Sequence, residues 1–100
     1  MNRKAMVIEL IRAGLNVEEE KSLKVYYDEG EELGVFFADL FVEDTVVVAL
    51  KSQKHIVKEN EAQLVNYLKG LRKDIGLLIN FDPDGVAVKR KYRELKPKQE

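Results

Sequence analysis

The chain contains no cysteine, a single histidine and only two prolines among its 100 residues. Without cysteine it can form neither disulfides nor thiolate metal sites. His55 alone cannot build a histidine-rich zinc site. No apolar run approaches the length of a membrane span, so we expect no membrane association. These absences make a disulfide-free, cytoplasmic protein the expectation.

Enough apolar residues are present for a folded core, and the charges are unevenly distributed. The apolar fraction is 45%, which suits one domain, and the net charge is only −1. Glu18-Glu19-Glu20 makes the first third acidic, whereas Lys89-Arg90-Lys91 and Arg93 make the end basic. Such a basic stretch can follow the phosphates of nucleic acid, or it can be a solvated terminus. We predict one domain over residues 1–95 and a flexible basic tail over residues 96–100.

Hydrophobic periodicity predicts two helices and five strands in the order αβββαββ. The short Glu43-Asp44 connection makes the second and third strands antiparallel neighbours. The helix between the third and fourth strands implies that these two run parallel. The fold class is therefore α/β, a mixed sheet with flanking helices. The helices are expected over residues 2–13 and 59–72, and the strands over 20–28, 34–42, 45–51, 75–81 and 86–92.

Three residues on the second and third strands are predicted to cluster. Because side chains alternate along a strand, Ala49 and Lys51 share one face, and Asp39 shares a face with Phe37 and Phe41. The short turn between the strands brings Asp39 close to Ala49 and Lys51. A carboxylate among aromatic residues is costly unless it is paired or metal-bound. We therefore interpret Asp39 as a functional residue.

The following helix adds two polar residues to this cluster. Gln63 and Tyr67 are four residues apart and project from one helix face, which Asn60 extends. Phosphodiester hydrolysis uses such residue types, because carboxylates hold Mg²⁺, the metal activates water and a lysine stabilises developing charge. Taken singly, a strand-end lysine and a helical tyrosine are ordinary surface and packing residues. Their order along the chain is what indicates a metal-dependent nuclease site.

From Leu15 to about Leu95 the chain resembles the GxxExxY family of the PD-(D/E)XK nuclease superfamily. The resemblance implies the αβββαββ nuclease fold, Mg²⁺ as cofactor and nucleic acid as partner. It also implies catalytic roles for Asp39, Lys51, Gln63 and Tyr67, of which Gln63-x-x-x-Tyr67 resembles the RecB-like branch. The matching segments are residues 38–44, 46–51, 60–68, 76–81 and 88–90.

Two departures from the family pattern argue against catalysis. Ala49 stands where the family has a metal-ligand glutamate, and the resemblance begins after the Gly-x-x-Glu-x-x-Tyr segment that names the family. Asp39 is then the one matched metal ligand. Weak or absent Mg²⁺ binding is expected, because one carboxylate anchors this ion poorly. Glu59, four residues before Gln63, is an alternative second ligand.

Three interpretations of function remain open from the sequence. The first is an active nuclease in which Glu59 replaces the missing carboxylate. The second is a nuclease fold without catalysis that binds nucleic acid through Lys89, Arg90, Lys91 and Arg93. The third is a protein-assembly module, which includes a homo-oligomer.

Overall fold

The computed structural model describes residues 3–27, 30–54, 58–82 and 84–93. The predicted order of helices and strands is confirmed, and within this part of the chain no helix is long and apolar enough to span a membrane. The predicted tail over residues 96–100 lies outside the described residues. The elements are α1 (Arg3–Arg12), β1 (Val17–Tyr26), β2 (Glu32–Val42), β3 (Val46–Lys51), α2 (Lys58–Leu71), β4 (Ile75–Asp82) and β5 (Gly85–Tyr92).

The strands form one mixed sheet in the order β1-β2-β3-β4-β5. Only β3 and β4 are parallel, as expected for strands joined by a helix. β2 pairs with β1 along nearly its whole length. Its pairing with β3 covers only Leu40 to Val42. The two central strands therefore separate at Asp39, which opens a gap in the sheet beside the end of β3.

The predicted tight connection between β2 and β3 is a two-residue turn. Glu43 and Asp44 have φ values of 55° and 54°, and the Thr45 N–H donates to the Val42 carbonyl at 3.0 Å. These values correspond to a type I′ turn, whose twist matches that of the flanking strands. The Glu43 carboxylate also accepts the Asn16 N–H at 2.6 Å. The turn thereby fixes the register that brings Asp39 near β3.

The sheet carries an apolar core on each face. The α2-side core contains the predicted helix stripe of Leu64, Leu68 and Leu71, packed on Ala38, Phe41, Val47 and Leu78. The α1-side core contains Leu40, Val42, Val48 and Ile79, against which α1 packs Met6, Val7 and Leu10. Because β3 gives side chains to both cores, its apolar character on both faces is explained.

The regular alternation expected along β2 is broken at Asp39. Ala38 belongs to the α2-side core, whereas Leu40 belongs to the α1-side core. On the neighbouring strand Glu20 has a φ of 48°, and the regular pairing of β1 with β2 is interrupted between Glu19↔Leu40 and Lys21↔Ala38. The irregularity explains why Phe41 is buried while Phe37 is exposed. The face predicted for Asp39 from simple alternation, shared with both phenylalanines, is therefore wrong.

Candidate active site

A cleft of about 290 Å³ lies between the end of β3 and α2. β3 contributes Ala49 and Lys51, and successive turns of α2 contribute Gln63 and Tyr67. The structure thus brings together four of the positions predicted from the sequence. The remaining lining residues are Phe36, Asn60, Leu64 and Leu78.

The base of the cleft is apolar. Leu64 and Leu78 are buried core residues. The Tyr67 ring packs closely on Phe36, with 4.3 Å between ring centroids and 30° between the ring planes. Lys51 is half-buried, and Gln63 is exposed at the helix surface. The arrangement presents an ammonium and an amide group above an apolar base.

Asp39 lies beside this cleft and is absent from its lining. Its Oδ2 accepts the backbone N–H of Leu50 at 2.8 Å, between the two cleft residues of β3. Continuing the register of Leu40 opposite Val48 places Asp39 opposite Ala49. The carboxylate therefore replaces a missing ladder hydrogen bond where β2 and β3 separate.

Asp39 has a partner on α1 that no sequence pattern indicated. The Arg3 guanidinium lies 3.4 Å from Asp39 Oδ1 and 2.9 Å from a Glu20 carboxylate oxygen. The hydrogen bond with Glu20 is the main cause that raises the pKa of Arg3 above its ordinary value. Arg3 is 36 residues from Asp39 along the chain, so no local spacing rule could connect them.

Asn80 is a second residue that sequence patterns missed. It is 1% exposed within the apolar strand β4. Its side-chain amide accepts the Gln53 N–H at 2.8 Å and donates to the Gln53 carbonyl at 2.7 Å. The polar residue in an otherwise apolar strand was the available signal. These two bonds fix the segment that follows Lys51 and so help to position its ammonium.

The donor set at this edge does not fit a resident Mg²⁺, which needs several oxygen ligands. Ala49 offers none, and both oxygens of Asp39 have partners. Glu59 is exposed and is absent from the cleft lining. In the described part of the chain no group of three or more acidic or histidine side chains could hold a metal.

The predicted basic residues divide into two kinds. Lys91 bonds Glu61 at 2.9 Å, and Arg93 bonds Asp74 at 2.6 Å. Lys89 and Arg90 are exposed on β5, and Lys89 pairs in register with the cleft residue Leu78. Lys89 therefore lies on the strand next to the cleft, whereas Lys91 and Arg93 are engaged in ion pairs within the chain.

Comparison with known proteins identifies relatives of this architecture. The model of the PD-(D/E)XK nuclease superfamily matches residues 1–94. Among solved structures, SSO0001 has a TM-score of 0.68 at 19% identity, over 93% of this chain and 48% of its own. An alkaline exonuclease from Laribacter hongkongensis, LHK-Exo, has a TM-score of 0.64 at 15% identity, over 91% of this chain and 54% of its own. No curated protein matches. The chain spans about half the length of both structures, and their low identity makes this a likeness of fold alone.

Proposed function

The chain belongs to the PD-(D/E)XK nuclease superfamily, and from this premise we propose that it binds nucleic acid with little or no phosphodiester hydrolysis. The observation that carries the proposal is that Ala49 lines the cleft beside Lys51, at the position where the family pattern has a metal-ligand glutamate. A methyl group stands where a second carboxylate would complete a metal site. Lys51, Gln63 and Tyr67 nevertheless remain around the cleft.

These residues are suited to holding a phosphate group without a metal ion. The Lys51 ammonium supplies positive charge at the cleft, and the Gln63 amide can donate a hydrogen bond to a phosphate oxygen. The Tyr67–Phe36 pair gives an aromatic surface on which a base can stack. Each of these groups can contribute to nucleic-acid binding even when no phosphodiester bond is hydrolysed. These residues therefore support the proposal that a nucleic-acid-binding site is kept although the metal ligand is lost.

The exposed basic residues of β5 extend the proposed binding surface. Both Lys89 and Arg90 are exposed on the strand next to β4. Lys89 pairs with the cleft residue Leu78, whereas Arg90 pairs with Leu77 and lies on the other face of the sheet. Lys91 and Arg93 form ion pairs with acidic side chains of the chain itself. They are therefore less available to neutralise phosphates, and they contribute less to the release of counterions on binding. We expect Lys51, Lys89 and Arg90 to contribute more to affinity than Lys91 and Arg93.

Fluorescence anisotropy with labelled single- and double-stranded DNA and RNA tests the proposal. Affinity should fall steeply with salt, by roughly 0.7–0.9 in log K per log unit of salt for each phosphate neutralised. Lys51→Gln and the pair Lys89→Gln/Arg90→Gln should weaken binding and flatten this slope. Lys4→Gln, the same charge loss on exposed α1, is the matched control. Undetectable binding at low salt would reject the proposal. Binding that is unaffected by the substitutions of Lys51, Lys89 and Arg90 would also reject it.

Finer assignments rest on the same residues and are part of the proposal. Asp39, the strand ending at Lys51 and the Gln63-x-x-x-Tyr67 helix support membership of the GxxExxY family. The absence of cysteine supports a cytoplasmic location. Mg²⁺ would enter only in variants that regain a second carboxylate.

A second candidate function is self-association through the free edge of β2. Leu33, Val35 and Phe37 are 64%, 48% and 66% exposed, and alternation places them on one face. Pairing of β2 with β3 begins only at Leu40. An antiparallel pairing of two copies centred on Val35 would set Leu33 against the Phe37 of the other copy. That arrangement is self-complementary, as a two-fold interface requires.

Sedimentation equilibrium distinguishes this assembly from a monomer. We expect a concentration-dependent dimer that Phe37→Ser dissociates, because the substitution removes the largest exposed apolar group of the stripe. Val88→Ser is the control, since Val88 is 55% exposed on the edge strand β5, away from β2. A monomer at all concentrations, or a dimer that only the control dissociates, would exclude assembly through β2.

A further inference from the structure

We propose that the Arg3 guanidinium occupies the place beside Asp39 where a metal ion would otherwise bind. The inference deepens the proposed function, because it identifies what has replaced the metal. The Arg3 guanidinium contacts carboxylates on two strands, Glu20 at 2.9 Å and Asp39 at 3.4 Å. A planar guanidinium with several N–H donors can serve both acids at once.

The sheet itself creates the need for a cation at this point. Glu19 faces Leu40 and Lys21 faces Ala38, so the intervening Glu20 and Asp39 lie opposite each other on adjacent strands. Directly opposed like charges destabilise a sheet. Some positive charge must therefore accompany the two carboxylates. In this chain an arginine side chain provides it.

The packing of α1 directs Arg3 to this place. Met6, Val7 and Leu10 pack against the α1-side core, which fixes the helix over the sheet with its first residue near the opposed acids. The side chains of Arg3 and Asp39 are only 35% and 34% exposed. Salt therefore screens their attraction less than it screens a fully exposed pair.

The ion pair and Ala49 together disfavour a divalent ion in three ways. The first two are due to the ion pair. It occupies Asp39 Oδ1, while the Leu50 N–H occupies Oδ2. It places a positive charge beside the carboxylate, which repels a second cation. The third is that Ala49 supplies no ligand for the ion. Restoring a carboxylate there is consequently not sufficient for tight metal binding, because Arg3 still competes.

Calorimetric titration of Mn²⁺ and Mg²⁺ into purified variants tests this competition without any activity measurement. Four proteins are compared: the unaltered chain, Arg3→Gln, Ala49→Glu and the double variant. Removal of Arg3 should increase the affinity of Ala49→Glu about tenfold or more, a typical coupling between neighbouring sites. Arg12→Gln in the Ala49→Glu background should leave affinity unchanged, since Arg12 bonds Glu9 at the exposed far end of the same helix.

Circular dichroism melting establishes that each variant is folded. If Arg3→Gln does not fold, Arg3→Lys replaces it, because an ammonium cannot bond both acids as a guanidinium does; affinity should then rise about twofold or more over Ala49→Glu alone. Equal affinity of Ala49→Glu with and without the Arg3 substitution overturns the inference. Because metal binding is read directly, that outcome is separate from failure of the chain to bind nucleic acid.

Discussion

At the scale of single residues, the chemistry available to Lys51 depends on what stands two positions before it. With Ala49 the ammonium can attract a phosphate but has no metal-bound water beside it. With a carboxylate at that position, the cleft would hold an acid beside Lys51, and Asp39 would be a second acid near the same end of β3. The same lysine would then stabilise charge that develops during hydrolysis.

Ala49→Glu should therefore create or raise metal-dependent cleavage. The rate should be modest because Arg3 still neutralises Asp39, and Lys51→Ala in the same background should abolish it. Labelled DNA and RNA, single- and double-stranded, are incubated with Mg²⁺ or with chelator and resolved on denaturing gels. Ala62→Glu, on the exposed part of α2, is the matched control. An Ala49→Glu protein that folds and binds Mg²⁺ yet cleaves none of these substrates would restrict the fold to binding or assembly.

Residue-level prediction succeeded where the chemistry is local and failed where it is not. Ala49, Lys51, Gln63 and Tyr67 line one cleft, as strand alternation and helix spacing predicted. Their functional roles remain predictions. Arg3 was missed because its partners lie on distant strands, and an arginine at a helix start has no distinctive pattern.

At the scale of elements, the close approach of α2 to β1 depends on Gly70. A Cβ built at this position would overlap Val25 Cγ1. Gly70→Ala should destabilise the domain by about 1–2 kcal/mol, because overpacking outweighs the helix propensity gained. In a Val25→Ala background the same substitution should be neutral or slightly stabilising. Urea unfolding of the four proteins measures this coupling, and equal effects in both backgrounds would contradict the proposed contact.

α2 is also joined to β5 by the bond between Glu61 and Lys91, which should make stability depend on pH. The hydrogen bond from Lys91 lowers the pKa of Glu61 below its ordinary value of 4.5. A lowered folded-state pKa gives stabilisation that is present above pH 4.5 and lost as pH falls through the folded value. Glu61→Gln should cost about 0.5–1 kcal/mol at pH 7, and the difference should shrink in acid.

Urea unfolding between neutral and acidic pH provides the measurement for Glu61→Gln. The matched control is Glu32→Gln, because Glu32 lies 3.9 Å from Lys24 in a more exposed pair. Its loss should change stability little at any pH. A Glu61→Gln effect that is the same at pH 7 and in acid would show that the ion pair is not its cause.

The helices and strands were predictable from the sequence, except where the side chains are of types that are uncommon in the element they form. The parallel β3–β4 pair is confirmed, because a helical connection leaves few alternatives. β1 was predicted to start at residue 20, yet it starts at Val17. Glu18, Glu19 and Glu20 are exposed, and acidic residues are uncommon in strands. Pairing with β2 overrides that preference.

At the scale of the whole molecule, the strand order separates charges of opposite sign. The acidic run Glu18-Glu19-Glu20 lies on β1, and Lys89 and Arg90 lie on β5, at opposite edges of the sheet. The electrostatic field around the protein is therefore asymmetric, although the net charge is near zero. Such a field would orient a polyanion toward β5 and the neighbouring cleft, and away from β1.

The two cores share one sheet, so we expect them to unfold together. Leu40 and Leu68 are both 0% exposed, one in the α1-side core and one in the α2-side core. Leu40→Ala or Leu68→Ala should each cost about 2–5 kcal/mol, a large part of the roughly 5–15 kcal/mol of a typical domain. Because β2 and β3 supply side chains to both cores, either loss should shift one common transition. Far-ultraviolet circular dichroism and tyrosine fluorescence should then give coincident urea curves. Two separated transitions in either variant would mean that each face of the sheet is stabilised independently.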